Sequence, residues 1–281
     1  MTVDKFSYSS LSTWRRCKYR YYLQYILDYA SPPSLGQARG TVGHAALAEW
    51  YKNGMDDKKA MKVAEDELTN IEIANGWDMA KDWENLSVVL RRYFNWARAS
   101  DNFDEVLSTE LKYELDMEGH KLIGFIDGII KTRKQAWILE HKFVKQASVQ
   151  HVTLDMQIST YMIAATLLGY HPHGVMYNVI RMGETGIAST QPVLRTYAYR
   201  NPEGLSLITQ ELILQMTEMD EFHKKGGVVY RNPTKDCNWD CAFKDVCLSL
   251  NDSGEAESVL SRMPKVDRDE KKLISEGVSY E

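Results

Sequence analysis

The chain alternates between helical and strand periods of apolar residues, and each change of period marks a change of element. Ser9 or Ser10 can cap a first helix, in which Leu11, Trp14, Tyr21 and Tyr25 recur at helical spacing. Ser31-Pro32-Pro33 and Gly36 then predict a loop. A second helix is expected to start near Thr41 and to carry His44, Leu47 and Trp50. Residues 56–73 and 83–99 repeat the helical pattern, so residues 40–100 read as a helical segment.

At Val106 the pattern changes. Residues 107–117 predict a strand, Glu118-Gly119-His120 a turn, and residues 122–132 and 137–144 two apolar strands around a polar Arg133-Lys134-Gln135. A helix over 154–168 ends at Gly169, two further strands lie at 175–182 and 193–199, and 205–222 is an amphipathic helix. From residue 251 to residue 281 the chain is polar and charge-dense, too poor in apolar side chains to build a core, and is expected to be a solvated or partly helical tail. This order predicts a mixed α/β domain over residues 1–250, with the sheet within 105–200.

Composition adds bounds. With 281 residues the chain can bury a sizeable core, and 44% hydrophobic with 26% charged residues is ordinary for a soluble protein. No apolar run is long enough to span a bilayer, and Met1 to Ser10 has no hydrophobic signal region, so a cytoplasmic location is expected, in a host cell if the chain is phage-encoded. The net charge of −5 provides no global attraction for nucleic acid, so DNA binding would rest on local basic patches and bound metal. One such patch is Arg15, Arg16, Lys18 and Arg20 among Tyr19, Tyr21, Tyr22 and Tyr25. These residues can bind phosphates and stack bases, or they can simply pack and solvate the first helix.

The candidate chemistry lies in the apolar strands. Asp127 sits among Ile126, Ile129 and Ile130, where an isolated carboxylate is costly to ionise. Glu140 and Lys142 are two residues apart, so their side chains emerge on one strand face, and a hairpin can bring Asp127 beside Glu140. Two carboxylates that close repel one another unless a divalent cation sits between them. Mg²⁺ held there would polarise a phosphate and acidify a water, with Lys142 orienting that water or countering charge on the phosphate. The spacing also fits a plain Glu140–Lys142 surface pair.

Asp127, followed at thirteen residues by Glu140-His-Lys142, resembles the signature of the PD-(D/E)XK nucleases. Gly40-Thr-Val-Gly43-His44 resembles the Gly-x-x-x-His element of their RecB-like branch, and Gln157-Ile-Ser-Thr-Tyr161 its Gln-x-x-x-Tyr motif. The resemblance implies a restriction-endonuclease-like mixed central sheet flanked by helices, with an N-terminal helical lobe. It implies Mg²⁺ or Mn²⁺ at His44, Asp127 and Glu140, and Lys142, Gln157 and Tyr161 as further catalytic residues. At i and i+4, Gln157 and Tyr161 share a helix face.

Cys17, Cys237, Cys241 and Cys247 can hold zinc or an iron–sulfur cluster, and a one-plus-three layout is less typical of zinc ribbons. The layout resembles the RecB-like nucleases with a [4Fe–4S] cluster, such as AddB and the CRISPR-associated spacer-acquisition exonucleases. It implies a cluster joining the two ends of the nuclease domain. Two departures keep Zn²⁺ as the alternative: Lys18 stands where that family often has proline, and three residues separate Cys237 from Cys241 where two are common.

The expected function is a metal-dependent DNA exonuclease, 5′→3′ and directed to ends or single strands as the resemblance implies, in recombination, repair or spacer processing. The alternative is a catalytically silent nuclease fold that binds DNA or a partner. No helicase P-loop is present, so a helicase, an annealing protein or another nuclease subunit is an expected partner besides DNA.

Overall fold

The computed structural model describes residues 5–30, 34–182, 190–252 and 254–266, and these fall into two compact units. The smaller is drawn from Met1–Pro33, Glu114–Gly124 and Glu211–Glu281, the larger from Ser34–Tyr113 and Phe125–Gln210. Among the described residues, no helix is long and apolar enough to cross a membrane.

The smaller unit opens with strand β1 (Lys5–Ser7) and helix α1 (Tyr8–Arg16). The cap is Ser7 rather than Ser9 or Ser10: Ser7 accepts from the Ser10 N–H while the Ser10 hydroxyl accepts from the Ser7 N–H, a capping box. The first helix is also shorter than expected. Cys17 takes an extended conformation, and the chain resumes as α2 (Lys18–Tyr21) and a π-helical turn at Tyr22–Ile26. Leu11, Trp14 and Tyr21 still bury the expected apolar stripe.

The larger unit begins with α3 (Leu35–Lys52). This helix starts six residues before Thr41, because Ser34 and Gln37 form a second capping box, and Gly36 lies inside the helix instead of in a loop. It is followed by α4 (Asp57–Asn75), capped by Asp56 and ended by a left-handed Gly76, and by α5 (Ala80–Ser100). Strands β2 (Glu105–Met117), β3 (His120–Thr132) and β4 (Gln135–Val144) form the expected meander. The β3–β4 ladder is antiparallel, and positive φ at both Arg133 and Lys134 gives the two-residue turn whose twist matches the right-handed twist of the strands.

Helix α6 (Met156–Leu167) leads to β5 (Val175–Arg181), which lies parallel to β4, and β6 (Val193–Ala198) closes that side antiparallel to β5. β5 is buried on both faces, as a strand between covering layers must be. Helices α3 to α5 pack on one face through Val42, Trp50, Leu90 and Phe94 against Ile130, Leu139, Met176 and Ile180. On the other face α6 lies against β4.

In the smaller unit, β1 pairs parallel with the first residues of β3, Phe6 opposite Leu122. Helix α7 (Pro202–Lys225) runs into this unit, which continues with α8 (Cys237–Asp240), α9 (Lys244–Asp252) and α10 (Ala256–Leu260). Leu23, Phe243, Val246 and Ala256 form a small core, with Val259, Leu260 and Met263 packed on it. The segment expected to be a tail from residue 251 is therefore packed as far as Met263. Its remainder, 267–281, lies outside the described residues.

Candidate active site

All the catalytic candidates except the cysteines and the basic patch lie in the larger unit. The β3–β4 ladder runs from Thr132↔Gln135 to Gly128↔Leu139. One residue further along β3, the Asp127 carboxylate takes the backbone N–H of His141, at 2.8 Å from Oδ2. The same oxygen lies 3.2 Å from His44 Nδ1. Helix α3 brings His44 this close because Gly43 has no side chain: a Cβ there would fall 2.4 Å from Phe143 Cζ, so the helix packs directly on the ring.

Glu140 and Lys142 share a face of β4, as their spacing requires. The Lys142 Nζ is 2.6 Å from Glu140 Oε1 and donates to Gln157 Oε1 at 3.2 Å. Gln157 in turn donates to the Tyr161 hydroxyl at 2.8 Å, one turn along α6. Asp155 caps that helix, and Arg200 donates to the carbonyls of Val152 and Asp155 and to Ser159 Oγ, pinning the turn before it. Gln157 thus contacts Lys142, and Tyr161, on the helix face it shares with Gln157, contacts Gln157.

Sequence reasoning missed Glu110. It lies on β2 at φ 47°, a left-handed conformation that a non-glycine residue adopts at a cost. His44, Glu110 and Asp127 each place one ligand atom within 4.8 Å of the others. Nothing local marks it out: Glu105, Glu110 and Glu114 are alike in a strand pattern, and only the fold brings the middle one to His44 and Asp127.

The electrostatics are those of crowded carboxylates. Burial, and then the charge of Asp127, push Glu140 above the usual range. Glu110 is raised to about 7 by desolvation and by Asp127. Burial works against the Asp127 carboxylate too, but His44 and His141 outweigh it and hold Asp127 low. His44 resists charging through burial, yet Asp127 and Glu140 raise it to about 9. Lys142 stays charged: burial opposes this, and Glu140 and Asp127 override it. Glu140 Oε2 is buried with no hydrogen-bond partner among the described residues. The imidazole and two carboxylates of His44, Glu110 and Asp127 are a donor set that fits a hard divalent cation, and the unpartnered Glu140 oxygen, in the field of Asp127 and His44, is a further oxygen donor of the kind such a cation takes.

The other predicted residues lie in the smaller unit. Arg15 donates to Gln215 at 2.9 Å, Arg16 pairs with Asp240, Lys18 pairs with Glu218, and Arg20 donates to the Asp240 carbonyl at 3.0 Å. Each of the four basic side chains is thus engaged within its own unit. Cys17, Cys237, Cys241 and Cys247 line one cavity. The backbone N–H groups of Asn232 and Thr234 approach Cys17 Sγ and Cys237 Sγ at 3.5 and 3.4 Å. The Cys247 thiol is raised by burial and by the other three cysteines.

A comparison with curated protein sequences finds no significant match. Among solved structures, the chain is similar to SSO0001, at 12% identity over 88% of this chain and 87% of that one, with a TM-score of 0.40. It is also similar to a protein of Eubacterium rectale provisionally named an exonuclease, at 8% identity over 84% of this chain and 93% of that one, with a TM-score of 0.49. The sequence profile of the PD-(D/E)XK nuclease superfamily matches residues 5–248, nearly all of the described chain. By that match the chain belongs to the PD-(D/E)XK nuclease superfamily.

Proposed function

We propose that the chain is a DNA exonuclease that hydrolyses phosphodiester bonds at strand ends with Mg²⁺ or Mn²⁺, in the 5′→3′ direction that its resemblance to the RecB-like branch implies. Nucleases of this superfamily use divalent metals, and their fold implies DNA as substrate. The observation that carries the reading is the gathering of His44, Glu110 and Asp127 ligand atoms within 4.8 Å of one another, together with a buried Glu140 that feels the charge of Asp127, pairs with Lys142 and has one oxygen without a partner among the described residues.

His44, Asp127 and Glu140 would hold the cation, with Glu110 a further ligand. When bound, the cation supplies Lewis-acid polarisation of the phosphate and an acidified water. The rest falls to side chains. Lys142, kept charged by Glu140, presents an ammonium to the non-bridging oxygens and to the attacking water. Gln157 fixes the direction of that ammonium, and Tyr161, whose hydroxyl burial keeps protonated, fixes Gln157. Lys142 is thereby held in one rotamer before substrate arrives, which preorganises the site.

The four cysteines are assigned to a [4Fe–4S] cluster, with Zn²⁺ the alternative. The reading is supported by their shared cavity and by the two N–H groups directed at their sulfurs, since hydrogen bonds to the sulfurs are common at metal–thiolate sites and tune them. A cluster there would tie α1 to α8 and α9 within the smaller unit. Roles in recombination, repair or spacer processing, alongside a helicase, an annealing protein or another nuclease subunit, follow from the same resemblance.

The test compares linear and covalently closed circular DNA with Mg²⁺ or Mn²⁺, and labels each end in turn. The proposal expects linear DNA to be degraded from its 5′ ends and circles to survive. Equal cutting of circles would make the chain an endonuclease instead.

A further inference from the structure

Among the described residues, the apolar layer between α3, α5 and the sheet holds a continuous polar chain. Tyr51 donates to Asp101 Oδ2 at 2.6 Å and meets the Tyr93 hydroxyl at 2.7 Å. Tyr93 meets His141 Nε2 at 2.8 Å, and Asn178 donates to Tyr93 at 3.3 Å. Arg195 closes the far end, with Nη1 at 2.7 Å from Asp101 Oδ1 and Nε donating to Asn178 Oδ1 at 2.7 Å.

The direction of the chain follows from its end. Asp101, paired with a guanidinium, offers acceptors only. Tyr51 therefore spends its hydrogen on Asp101, Tyr93 spends its own on Tyr51, and His141 Nε2 carries the hydrogen donated to Tyr93. Both imidazole coordinates are then set. Nε2 is tethered to Tyr93, the ring stacks on Tyr51 at a centroid distance of 5.8 Å, and Nδ1 lies 3.5 Å from Asp127 Oδ2. The backbone of the same residue provides the N–H that holds Asp127 Oδ2 at 2.8 Å.

His141 is the residue between Glu140 and Lys142, and it points to the opposite face of β4. A leucine or isoleucine would fill that place among Tyr51, Tyr93 and His44 without burying a polar group of its own. Buried polar networks of this kind contribute little net stability, and their effect is a single geometry for the groups they hold.

We propose that His141 is a positioning residue for the metal site, and that the chain from Asp101 through Tyr51 and Tyr93 locks it so that its backbone N–H fixes the Asp127 carboxylate for the cation. This rests on the assignment of Asp127 as a metal ligand. Outer groups of this kind typically alter metal affinity by about 10–100-fold when removed. Tyr93→Phe deletes the hydroxyl that joins both halves of the chain and leaves the ring in place. Tyr51→Phe cuts one link further away.

Mn²⁺ binding is measured by titration calorimetry on wild type, Tyr93→Phe, Tyr51→Phe, His141→Leu, His141→Gln and Asp127→Asn, with circular dichroism and melting curves on each. The expected result is a dissociation constant raised about 10-fold in Tyr93→Phe and less in Tyr51→Phe, in folded protein. His141→Gln, which keeps an N–H for Tyr93, should bind more tightly than His141→Leu. A purely structural chain would lower the melting temperature and leave Mn²⁺ affinity at the wild-type value, which overturns the proposal. Wild type that takes up no Mn²⁺, or Asp127→Asn that binds as wild type does, overturns the metal assignment beneath it. If Tyr93→Phe does not fold, Tyr51→Phe and the His141 pair decide the matter.

Discussion

Replacing Gly43 by alanine should separate the positioning of His44 from the stability of the helix that carries it. The added Cβ would lie 2.4, 2.6 and 2.7 Å from three atoms of the Phe143 ring. Carbons pack at about 3.5–4.0 Å, so the ring or the helix must give way by about 1 Å. Overpacking of this kind costs about 1–3 kcal/mol, while alanine in a helix interior gains roughly 0.5–1 kcal/mol over glycine. The net loss is then about 0–2.5 kcal/mol, a fall in Tm of at most about 10 °C. Activity is the more sensitive readout. Phe143 also packs on His44, with ring centroids 5.6 Å apart, so whichever partner moves displaces the imidazole from Asp127. A misplacement of about 1 Å at a reacting centre can cost 10²-fold. Initial rates of DNA degradation should therefore fall about 10–100-fold in Gly43→Ala, with the fold retained. Phe143→Val in the same chain should recover most of the rate by making room for the methyl group. A Gly43→Ala protein that cleaves as fast as wild type would refute the claim that the glycine sets the approach of His44.

Asp101→Asn breaks a buried ion pair, in which the Asp101 side chain is 0% and that of Arg195 11% exposed, and should cost about 3–5 kcal/mol, lowering Tm by roughly 6–20 °C in thermal melts. The rise in Tm on adding Mg²⁺ should grow from pH 6 to pH 8. Glu110, at about 7, and Glu140, also raised, hold protons at the lower pH, and His44, at about 9, must give its proton up to the cation across the whole range. Raised carboxyls stabilise the metal-free chain at acid pH, lose that contribution as pH rises through about 7, and no longer compete with the cation there. A Mg²⁺ effect independent of pH would count against these groups as ligands. Anaerobically purified protein should be brown, and Cys17→Ala should be colourless with a lower melting temperature; colourless wild type with stoichiometric zinc would replace the iron assignment.

The sheet and the helices around it were readable because their apolar residues repeat over long windows. The expected strands at 122–132 and 137–144 correspond closely to β3 and β4. Short-range detail was less legible. β1 has three residues, too few for a period, and the start of α3 was hidden because Gly36 reads as a loop residue until its position inside a capping box is known. Asp127, Glu140 and Lys142 stood out since charged groups in apolar strands are conspicuous and two of them share a face by simple alternation. Glu110 did not, because it sits in a strand with other exposed glutamates and only reaches His44 and Asp127 through the fold. His141 was passed over for a different reason: its partners Tyr93, Tyr51 and Asp101 come from 40 to 90 residues upstream, and no local pattern links them. The polar segment after residue 251 is partly helical, as expected, but it also packs as far as Met263, because so few apolar residues, Ala256, Val259, Leu260 and Met263, suffice to seat it on Phe243 and Val246.

Asp127, Glu140 and Lys142 are proposed to form a cation-dependent site for phosphodiester hydrolysis. The most direct measurement is single-turnover degradation of end-labelled DNA with Mg²⁺ or Mn²⁺, comparing wild type with Lys142→Ala at matched folded concentration. Wild type should release label rapidly and not at all after chelation, and Lys142→Ala should be slower by at least about 10²-fold, as loss of an electrostatic stabiliser at a reacting centre typically gives. Equal rates in the two proteins, or wild-type cleavage that persists after chelation, would contradict the proposal.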